Sequence, residues 1–419
     1  MPRTKRFSEL GADELPLEGI RVLDLGRALS GPFCAMLLGD LGADVVKVEQ
    51  LPHGDVMRTW GPFHDGESVY FLSANRNKRS VALDLRDDEG KRALLALVAG
   101  SDVMVENFRP GVMEALGFSD ETLRRDFPTL IHCAVSAFGP RGPYTSLPGF
   151  DQVAQAMGGL MGVTGLHDGE PTRSGVAIAD MLAGVFAALV AVAALVSRTD
   201  RSALHRVGSS LLEGTLGVLT FQAQQYLSLS EVAHRQGNDH PIISPYGCFH
   251  AADGPLVVAC ATQEMWAKLC ELLGLDDLVD DPGFETNTQR VANRSQLTSL
   301  LNARLARATK QEWFERLTQA GIPAGPVNDI GEVFANPQVD ALGAVREVDH
   351  ATLGDLPIVG PPFEIGGEPI PVRRAPPVLG EHTEAVLAEA GMDEAEVRSL
   401  IDRGVAAQRP EKRGDRRSE

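Results

Sequence analysis

An aspartate at the start of a long apolar segment is the residue in this sequence best suited to do chemistry. Asp180 is the only ionisable side chain between Arg173 and Arg198, and the uncharged residues 181–196 follow it directly. Such a carboxylate has two interpretations. It caps a helix by accepting hydrogen bonds from the free N–H groups of the first turn, or it is a buried nucleophile that forms a covalent acyl intermediate. In the second case, backbone N–H groups at the helix start are expected to stabilise developing oxyanions.

Basic and aromatic side chains cluster near the ends of two predicted strands. Residues 75–80, NRNKRS, precede one strand, and residues 105–111, VENFRPG, end another. Ligands of open α/β sheets bind beyond the carboxyl ends of the strands. Arg86 and Arg109 are therefore candidates for binding phosphate groups, with Phe108 packing on a base. The alternative is a solvated surface with ordinary capping residues.

Several common catalytic motifs are absent from the sequence. No G-x-G-x-x-G follows the first predicted strand, which disfavours a nicotinamide-dependent oxidoreductase. The P-loop lysine motif and the G-x-S-x-G nucleophile elbow are also missing. The ten histidines show neither H-x-x-H nor H-E-x-x-H spacing, so no metal site is expected.

The periodicity of the apolar residues predicts strands that alternate with helices. Strands are predicted at residues 20–25, 44–49, 81–85, 102–105 and 130–136. Helices are predicted at residues 32–40, 87–99, 181–197 and 209–228, with a charged turn at 198–208. This alternation is typical of an α/β fold with a doubly wound, parallel, Rossmann-like sheet.

A change of character near residue 238 indicates a second domain. A hairpin is predicted within residues 244–260, followed by helices at 263–273, 295–308 and 310–320. The proline-rich residues 356–374 are predicted to form an extended connector before two last helices, at 381–390 and 393–402. The domain prediction is a disordered N-terminus (1–16), the N-terminal part of a large α/β domain (17–229), a smaller α+β domain (230–330), a connector with the C-terminal part of the large domain (331–407), and a disordered tail (408–419).

Charge and cysteine content limit the partners and the compartment. The formal net charge is −18, from 39 basic and 57 acidic side chains, so nucleic acid and anionic membrane surfaces are disfavoured as partners. Five widely spaced cysteines without a C-x-x-C pair fit reduced thiols in the cytoplasm. The basic residues 1–7 are not followed by an apolar stretch, so no signal peptide is expected. The uncharged run 181–196 is shorter than the about 20 residues of a membrane span, which favours a buried helix.

Six segments, in order along the chain, resemble the class III (CaiB/BaiF-type) coenzyme A transferases. The segments are LEGIRVLDL (17–25) with SGP (30–32), LGADVVKVE (41–49), NKRSVALDL (77–85), DVMVENFRPG (102–111), GFDQVAQ (149–155) and APPVLGEHT (375–383). The family includes formyl-CoA:oxalate CoA-transferase, carnitine CoA-transferase and α-methylacyl-CoA racemase. The similarity runs from about residue 16 to about residue 390.

The resemblance implies a set of site residues and an assembly. The family's catalytic aspartate falls on Asp180, and an acidic neighbour of the active site falls on Asp151. The family's CoA contacts fall on Leu29, Ser30, Leu83, Asp84, Leu85, Arg86, Asn107, Phe108 and Arg109. Coenzyme A is then a co-substrate, and no metal is involved. Two chains are expected to interlock as a homodimer, with a large domain built from both chain ends.

The sequence also departs from the family pattern. Gln50, Ala115 and Pro148 stand where the formyl-CoA transferase has basic CoA contacts. The glycine-rich lid of that enzyme is not visible near residues 238–250. Formate and oxalate are therefore not expected to be the substrates.

The resemblance implies acyl-CoA:carboxylate CoA transfer through an aspartyl anhydride and then an aspartyl-CoA thioester. The main alternative is an α-methylacyl-CoA racemase, which needs a proton-exchanging group on each side of the α-carbon. The racemase histidine falls on Phe150, which cannot carry a proton, and His132 and His167 are the available substitutes. Further alternatives are a non-catalytic CoA-binding protein and an oxidoreductase on the same type of sheet.

Overall fold

Strands and helices alternate through residues 14–197 and 205–409, the part of the chain that this computed structural model describes. The strands are β1 (Arg21–Asp24), β2 (Asp44–Gln50), β3 (Phe63–His64), β4 (Glu67–Ser68), β5 (Lys78–Leu83), β6 (Val103–Glu106), β7 (Ile131–Ser136), β8 (Arg206–Ser210), β9 (Tyr246–Ala251), β10 (Gly254–Ala259), β11 (Ala324–Pro326), β12 (Val345–His350), β13 (Gly354–Val359), β14 (Glu364–Ile365), β15 (Glu368–Pro369) and β16 (Ala406–Ala407). The helices are α1 (Ser30–Asp40), α2 (Val69–Ser73), α3 (Asp88–Ala99), α4 (Val112–Ala115), α5 (Asp120–Asp126), α6 (Asp151–Met157), α7 (Leu160–Val163), α8 (Ile178–Val196), α9 (Leu211–Val218), α10 (Thr220–Leu229), α11 (Gln263–Leu273), α12 (Asn287–Ala292), α13 (Arg294–Leu305), α14 (Lys310–Gln319), α15 (Ile330–Phe334), α16 (Pro337–Ala341), α17 (Thr383–Glu389) and α18 (Glu394–Asp402). Most of the two ends predicted to be disordered, residues 1–13 and 410–419, lies outside the described residues.

The chain divides into two compact units. The first comprises Met1–Leu160, Ser174–Phe221 and Asp340–Glu419, and the second comprises Met161–Arg173 and Gln222–Val339. The first unit therefore draws on both ends of the chain.

A seven-stranded sheet forms the centre of the first unit. Its order is β16-β5-β2-β1-β6-β7-β8, and every neighbouring pair is parallel except β16 with β5. The predicted parallel sheet is confirmed. Its strand order reverses between β1 and β6, because the chain first proceeds to one side of β1 and then returns to the other. In such sheets the crevice beyond the carboxyl ends at this reversal is the usual place for a ligand.

Helices cover both faces of the sheet, because neighbouring residues along each strand point to opposite sides. On β1, Val22 lies in an apolar cluster with α1 and α8, whereas Leu23 lies in a second cluster with α3, α17 and α18. Both side chains are at most 1% exposed. Burial on both faces explains why these strands read as continuous apolar runs rather than as alternating patterns.

The structure differs from the sequence predictions at several places. Residues 206–210 form β8, where a turn was expected, and the helix expected at 209–228 is divided into α9 and α10. β12 and β13 form a hairpin that takes up part of the expected extended connector. β16, only two residues long, pairs Ala406 with Leu83. Edge strands this short are decided by tertiary pairing, and they leave a weak signal in the sequence.

The second unit has its own sheet and core. β11, β10 and β9 form a three-stranded antiparallel sheet, and the predicted hairpin is confirmed as β9 and β10. Side chains of α11, α13 and α14 pack on it around Trp266, which is fully buried.

Candidate active site

Asp180 lies in the first turn of α8 but does not cap that helix. The cap position is Ala177, which contributes no side-chain hydrogen bond. The carboxylate that caps α8 belongs to Asp151, at the start of α6: its Oδ1 accepts hydrogen bonds from Ala179 N at 2.8 Å and from Asp180 N at 3.4 Å. The capping interpretation of Asp180 is therefore wrong, because another residue takes that role.

The N–H groups of residues 178–181, at the start of α8, have acceptors. Besides the two that donate to Asp151, Ile178 N donates to Val176 O at 2.8 Å, and Met181 N donates to Ala177 O at 3.1 Å. Because these N–H groups already have acceptors, a role in stabilising oxyanions would require them to exchange partners, and that role stays a prediction.

The Asp180 carboxyl group is held near the boundary between its two protonation states. Burial, followed by the charge of Asp151, raises the pKa of Asp180 to about 7, and a hydrogen bond from the Ser30 hydroxyl opposes that rise. Desolvation disfavours the charged form of an acid, and a neighbouring carboxylate disfavours it further. At neutral pH a large share of the Asp180 side chains is therefore ionised and able to act as a nucleophile.

Close packing of α1 against α8 brings Ser30 to Asp180. A Cβ atom on Gly184 would lie 2.8 Å from the Ser30 carbonyl oxygen, so the two helices approach too closely for any side chain at this position. Ser30 itself is 4% exposed. Asn107 donates from Nδ2 to the Ser30 hydroxyl oxygen at 3.2 Å, which connects the end of β6 to the same group.

Residues at the ends of β1 and β6 are tied together. Asn107 accepts a hydrogen bond from Arg27 N at 2.8 Å and donates one to Arg27 O at 2.8 Å. The Arg27 guanidinium lies 5.2 Å from the centre of the Phe108 ring, a cation–π arrangement. Leu29 is the residue at the cap position of α1. The first group of expected CoA contacts thus surrounds the reversal point of the sheet.

The expected contacts at the end of β5 form a compact turn. Leu83 and Leu85 are buried, so they present only backbone to a ligand. Arg86 is exposed and makes a bidentate pair with Asp84, with Nε–Oδ1 and Nη2–Oδ2 distances of 2.8 and 3.0 Å. Gln50, which replaces a basic residue of the formyl-CoA transferase, donates to Asp84 Oδ1 at 2.9 Å. Three strand spacings of about 4.8 Å separate β5 from β6, so the two groups lie about 14 Å apart along the sheet.

A cavity of about 830 Å³ lies beside the end of β6. Its lining includes Phe108 and Arg109, together with Arg124 and Arg141, and Asp180 is not part of it. Within residues 14–197 and 205–409, none of these three arginines takes part in an ion pair. The cavity therefore carries guanidinium groups that remain available for an anion. Arg141 was not identified from the sequence, because it stands in the irregular loop after β7, where no periodicity marks it.

Of the two histidines considered as proton carriers, His132 lies in the first unit, and its side chain points away from α8. Cys133 contacts Ala187 of α8, so its neighbour His132 points to the opposite face of the sheet. There its Nε2 lies 3.1 Å from Glu106 Oε1. His167 is an exposed residue of the second unit that pairs with Asp168. Phe150 is 67% exposed.

The described ranges contain no group of three or more His, Cys, Asp or Glu side chains placed to hold a metal ion.

Comparisons with known proteins agree with one another over nearly the whole chain. The model of CoA-transferase family III matches residues 17–383. Succinyl-CoA:glutarate CoA-transferase of Mus musculus is 40% identical, over 94% of this chain and 91% of that protein. Acetyl-CoA:oxalate CoA-transferase of Acetobacter aceti is 36% identical, over 91% of this chain and 97% of that protein. A CAIB/BAIF family protein from Brucella suis, solved by crystallography, has a TM-score of 0.82 at 38% identity, over 90% of this chain and 100% of that one. On these matches the chain belongs to CoA-transferase family III, and it is an enzyme of that family.

Proposed function

We propose that the protein is an acyl-CoA:carboxylate CoA-transferase that works through a covalent bond to Asp180. The observation that carries the proposal is that the Asp180 carboxylate does not cap a helix and so is not needed for the structure of α8. Asp151 caps α8 in its place, and the Ser30 hydroxyl is its one side-chain hydrogen-bond partner among the interactions that act on its pKa. A carboxylate with a pKa near neutrality, at the end of a buried helix, is suited to nucleophilic catalysis.

The first half-reaction forms an enzyme thioester. The Asp180 carboxylate attacks the carbonyl carbon of the donor thioester, and the CoA thiolate leaves, which gives a mixed anhydride. The thiolate then attacks the aspartyl carbonyl carbon and releases the donor acid, which leaves an aspartyl-CoA thioester. The acceptor carboxylate reverses these steps: it attacks the aspartyl thioester, and the released thiolate attacks the acceptor's acyl carbon and frees Asp180. Each step exchanges one acyl bond for another, so no energy-supplying reactant is needed.

Ser30 is the hydroxyl group placed to assist these steps. It donates to the Asp180 carboxylate before the reaction, and Asn107 donates to its oxygen in turn. When Asp180 becomes an acyl group, the same hydroxyl can donate to the oxygen on which negative charge develops. The proposal thus gives a side chain the role of stabilising the oxyanion, since the first-turn N–H groups of α8 are already hydrogen-bonded.

Coenzyme A is proposed to extend along the carboxyl edge of the sheet. Leu29, Ser30 and Asn107 lie at the reversal point near Asp180, and the turn from Leu83 to Arg86 lies about 14 Å away. Arg109 and Arg141, which have no ion-pair partner in the described part of the chain, supply guanidinium groups for phosphate oxygens, which bind arginine strongly through charge-assisted hydrogen bonds. The two arginines offset the basic contacts that Gln50, Ala115 and Pro148 do not provide.

The proposed partners are an acyl-CoA donor, a carboxylate acceptor and a second copy of the chain, in the cytoplasm. By length and composition α8 is able to cross a membrane, but it packs against α1, β7 and β8 as a core helix does. Exposed apolar side chains on α8, α9 and α10 support an interlocked homodimer with a Rossmann-like large domain built from both chain ends. They are Val185, Leu189, Val196, Leu216, Phe221 and Leu227.

Mass spectrometry of the protein after incubation with acyl-CoAs tests the proposal. Succinyl-CoA is the first donor to offer, because relatives named for it match this chain closely. Hydroxylamine added during turnover is expected to mark Asp180, and CoA is expected to move to an added dicarboxylate. A racemase would instead exchange the α-proton of an α-methylacyl-CoA with deuterated water without any acceptor acid. Such exchange at the rate of turnover, with no mark on Asp180, would overturn the proposal.

A further inference from the structure

A fully buried glutamine connects the capping carboxylate with the backbone that leads into α8. Gln155 of α6 is 0% exposed. Its Nε2 donates to Asp151 Oδ2 at 2.7 Å, and its Oε1 accepts from Ser174 N at 2.9 Å. The two ends of one amide group therefore hold two different segments of the chain.

The two contacts fix the orientation of the amide group. If the group were reversed, its NH₂ would face the Ser174 N–H and its oxygen would face the Asp151 carboxylate. Both contacts would be repulsive, and a buried polar group without a partner costs about 1–3 kcal/mol. In the observed orientation Gln155 holds Asp151 Oδ2, while Oδ1 remains directed at Ala179 N and Asp180 N.

We propose that Gln155 is a positioning residue for the transfer reaction, because it fixes the Asp151 carboxylate and residues 174–180 in the arrangement that presents Asp180 to the thioester. The inference rests on the proposed role of Asp180 as the nucleophile. Gln155 acts through Asp151 and through the backbone, and it does not touch the substrate.

A charge introduced at position 155 acts mainly on the pair of carboxylates. Asp151 on α6 is the charged group that acts on Asp180, and Ser30 on α1 is the hydroxyl that does so. The other charged side chains on the elements packed against α8 have partners of their own: Asp40 with Arg76, His132 with Glu106, Arg206 with Asp120, and Glu213 with Ser210.

The test replaces Gln155 by the nearly isosteric glutamate. Gln155→Glu keeps the acceptor for Ser174 N but places a carboxylate oxygen where an amide donor faced Asp151. The acid limb of kcat/KM is expected to move to higher pH by about one unit, because a further negative charge disfavours ionisation of Asp180. At pH 7, kcat is expected to fall by about 10²-fold, and KM for the acyl-CoA is expected to stay within about threefold.

Gln152→Glu is the matched control, since Gln152 is an exposed residue three positions earlier on the same helix. It is expected to leave the acid limb and kcat unchanged. Gln155→Leu removes both hydrogen bonds without adding a charge, and its kcat is expected to fall with KM retained, in a protein whose near-ultraviolet circular dichroism matches the wild type. It supplies the readout if the glutamate variant does not fold.

Wild-type kcat and an unmoved acid limb in folded Gln155→Glu, or wild-type kcat in Gln155→Leu, would overturn the positioning role. Failure of the proposed function looks different: no acyl group would be found on Asp180 of the wild-type enzyme. The rate of adduct formation at Asp180, measured in a single turnover, therefore separates the two ideas.

Discussion

The two neighbouring aspartates of the site, Asp151 and Asp180, have different hydrogen-bond partners. Asp151 accepts hydrogen bonds from two backbone N–H groups and from Gln155, so both of its oxygens are engaged. Asp180 is buried beside it with the Ser30 hydroxyl, and its pKa is raised to about 7. One carboxylate therefore organises the start of α8, and the other, with its raised pKa, is the proposed nucleophile.

Asp180→Asn is expected to abolish transfer and to stabilise the fold at pH 8. Because the pKa is raised in the folded state, the folded protein retains a proton between about pH 4 and 7 that the unfolded chain has released. The wild type therefore loses stability as the pH rises through this window, by at most about 4 kcal/mol, and the asparagine variant does not. Urea unfolding at pH 4.5, 6 and 8 measures the difference. Equal destabilisation of the variant at every pH would show that the carboxylate has a structural role.

Arg109→Ala is expected to weaken CoA binding by about 1–3 kcal/mol, because its guanidinium lines the cavity and has no ion-pair partner among the described residues. Arg86→Ala is expected to cost less, since Arg86 must leave its bidentate pair with Asp84 to bind a phosphate. Isothermal titration with CoA measures both. Arg92→Ala, on the exposed side of α3, is the control, and an affinity loss there equal to that of Arg109→Ala would contradict a specific contact.

Asp180 could be selected as a candidate from the sequence alone, because a single charged residue directly before a long apolar run is a local pattern. The roles of its neighbours were not visible in that way. Asp151 reaches α8 across an intervening loop, and Gln155 meets Ser174 only after that loop has folded back. Hydrogen bonds between distant segments depend on tertiary structure, and composition and spacing do not encode them.

Among the elements, the pairing of α1 with α8 determines the geometry of the site. Ser30 begins one helix, Asp180 lies in the first turn of the other, and Gly184 allows the two backbones to touch. Small residues continue along the buried face of α8, with Ala183, Ala187 and Ala191 all 0% exposed. The helix therefore approaches α1 and the sheet along its whole length.

Gly184→Ala is expected to destabilise the protein by about 1–3 kcal/mol and to reduce turnover, because the new methyl group would lie 2.8 Å from a backbone oxygen and force the helices apart. Gly217→Ala is the matched change, since a Cβ there would meet nothing closer than 3.9 Å. It is expected to stabilise α9 by about 0.5–1 kcal/mol, through the higher helix propensity of alanine. Thermal unfolding compares the two, and a stable, active Gly184→Ala enzyme would contradict the close approach.

The large parallel sheet followed from the sequence because its strands are buried runs separated by helices of regular period. β8 and β16 did not, for different reasons. β8 is an edge strand, and its first residue, Arg206, is charged, so the segment was assigned to a turn. β16 has two residues, and its place is decided by Leu83 and Ala82, which lie far away in the sequence.

Several large apolar side chains are exposed on the surface of the single chain. On α8, Val185, Leu189 and Val196 are 42%, 65% and 77% exposed, and their spacing places them on one face. Contiguous apolar surface of this kind marks an interaction site. It is the feature of the whole molecule that best supports an obligate dimer.

Analytical ultracentrifugation is expected to find a particle of about 90 kDa, twice the 44.9 kDa of one chain. Leu189→Glu is expected to lower the dimer fraction, because it introduces a charge into the exposed apolar face of α8. Leu95→Glu, at a 46% exposed leucine on α3, is the control and is expected to leave the dimer intact. A wild-type monomer that is fully active at nanomolar concentration would refute the interlocked dimer.

The antiparallel strand β16 has a consequence for how the protein is made. It covers the outer edge of β5, and Val405, just before it, accepts a hydrogen bond from Asp84 N at 2.7 Å. While a ribosome is still synthesising the chain, every residue of the parallel sheet can emerge before this last strand exists. The edge beside the proposed CoA turn therefore stays open until residues 405–407 have been made, and open edges invite pairing with other nascent chains. Chains truncated before Val405 should therefore yield aggregates rather than a shortened enzyme.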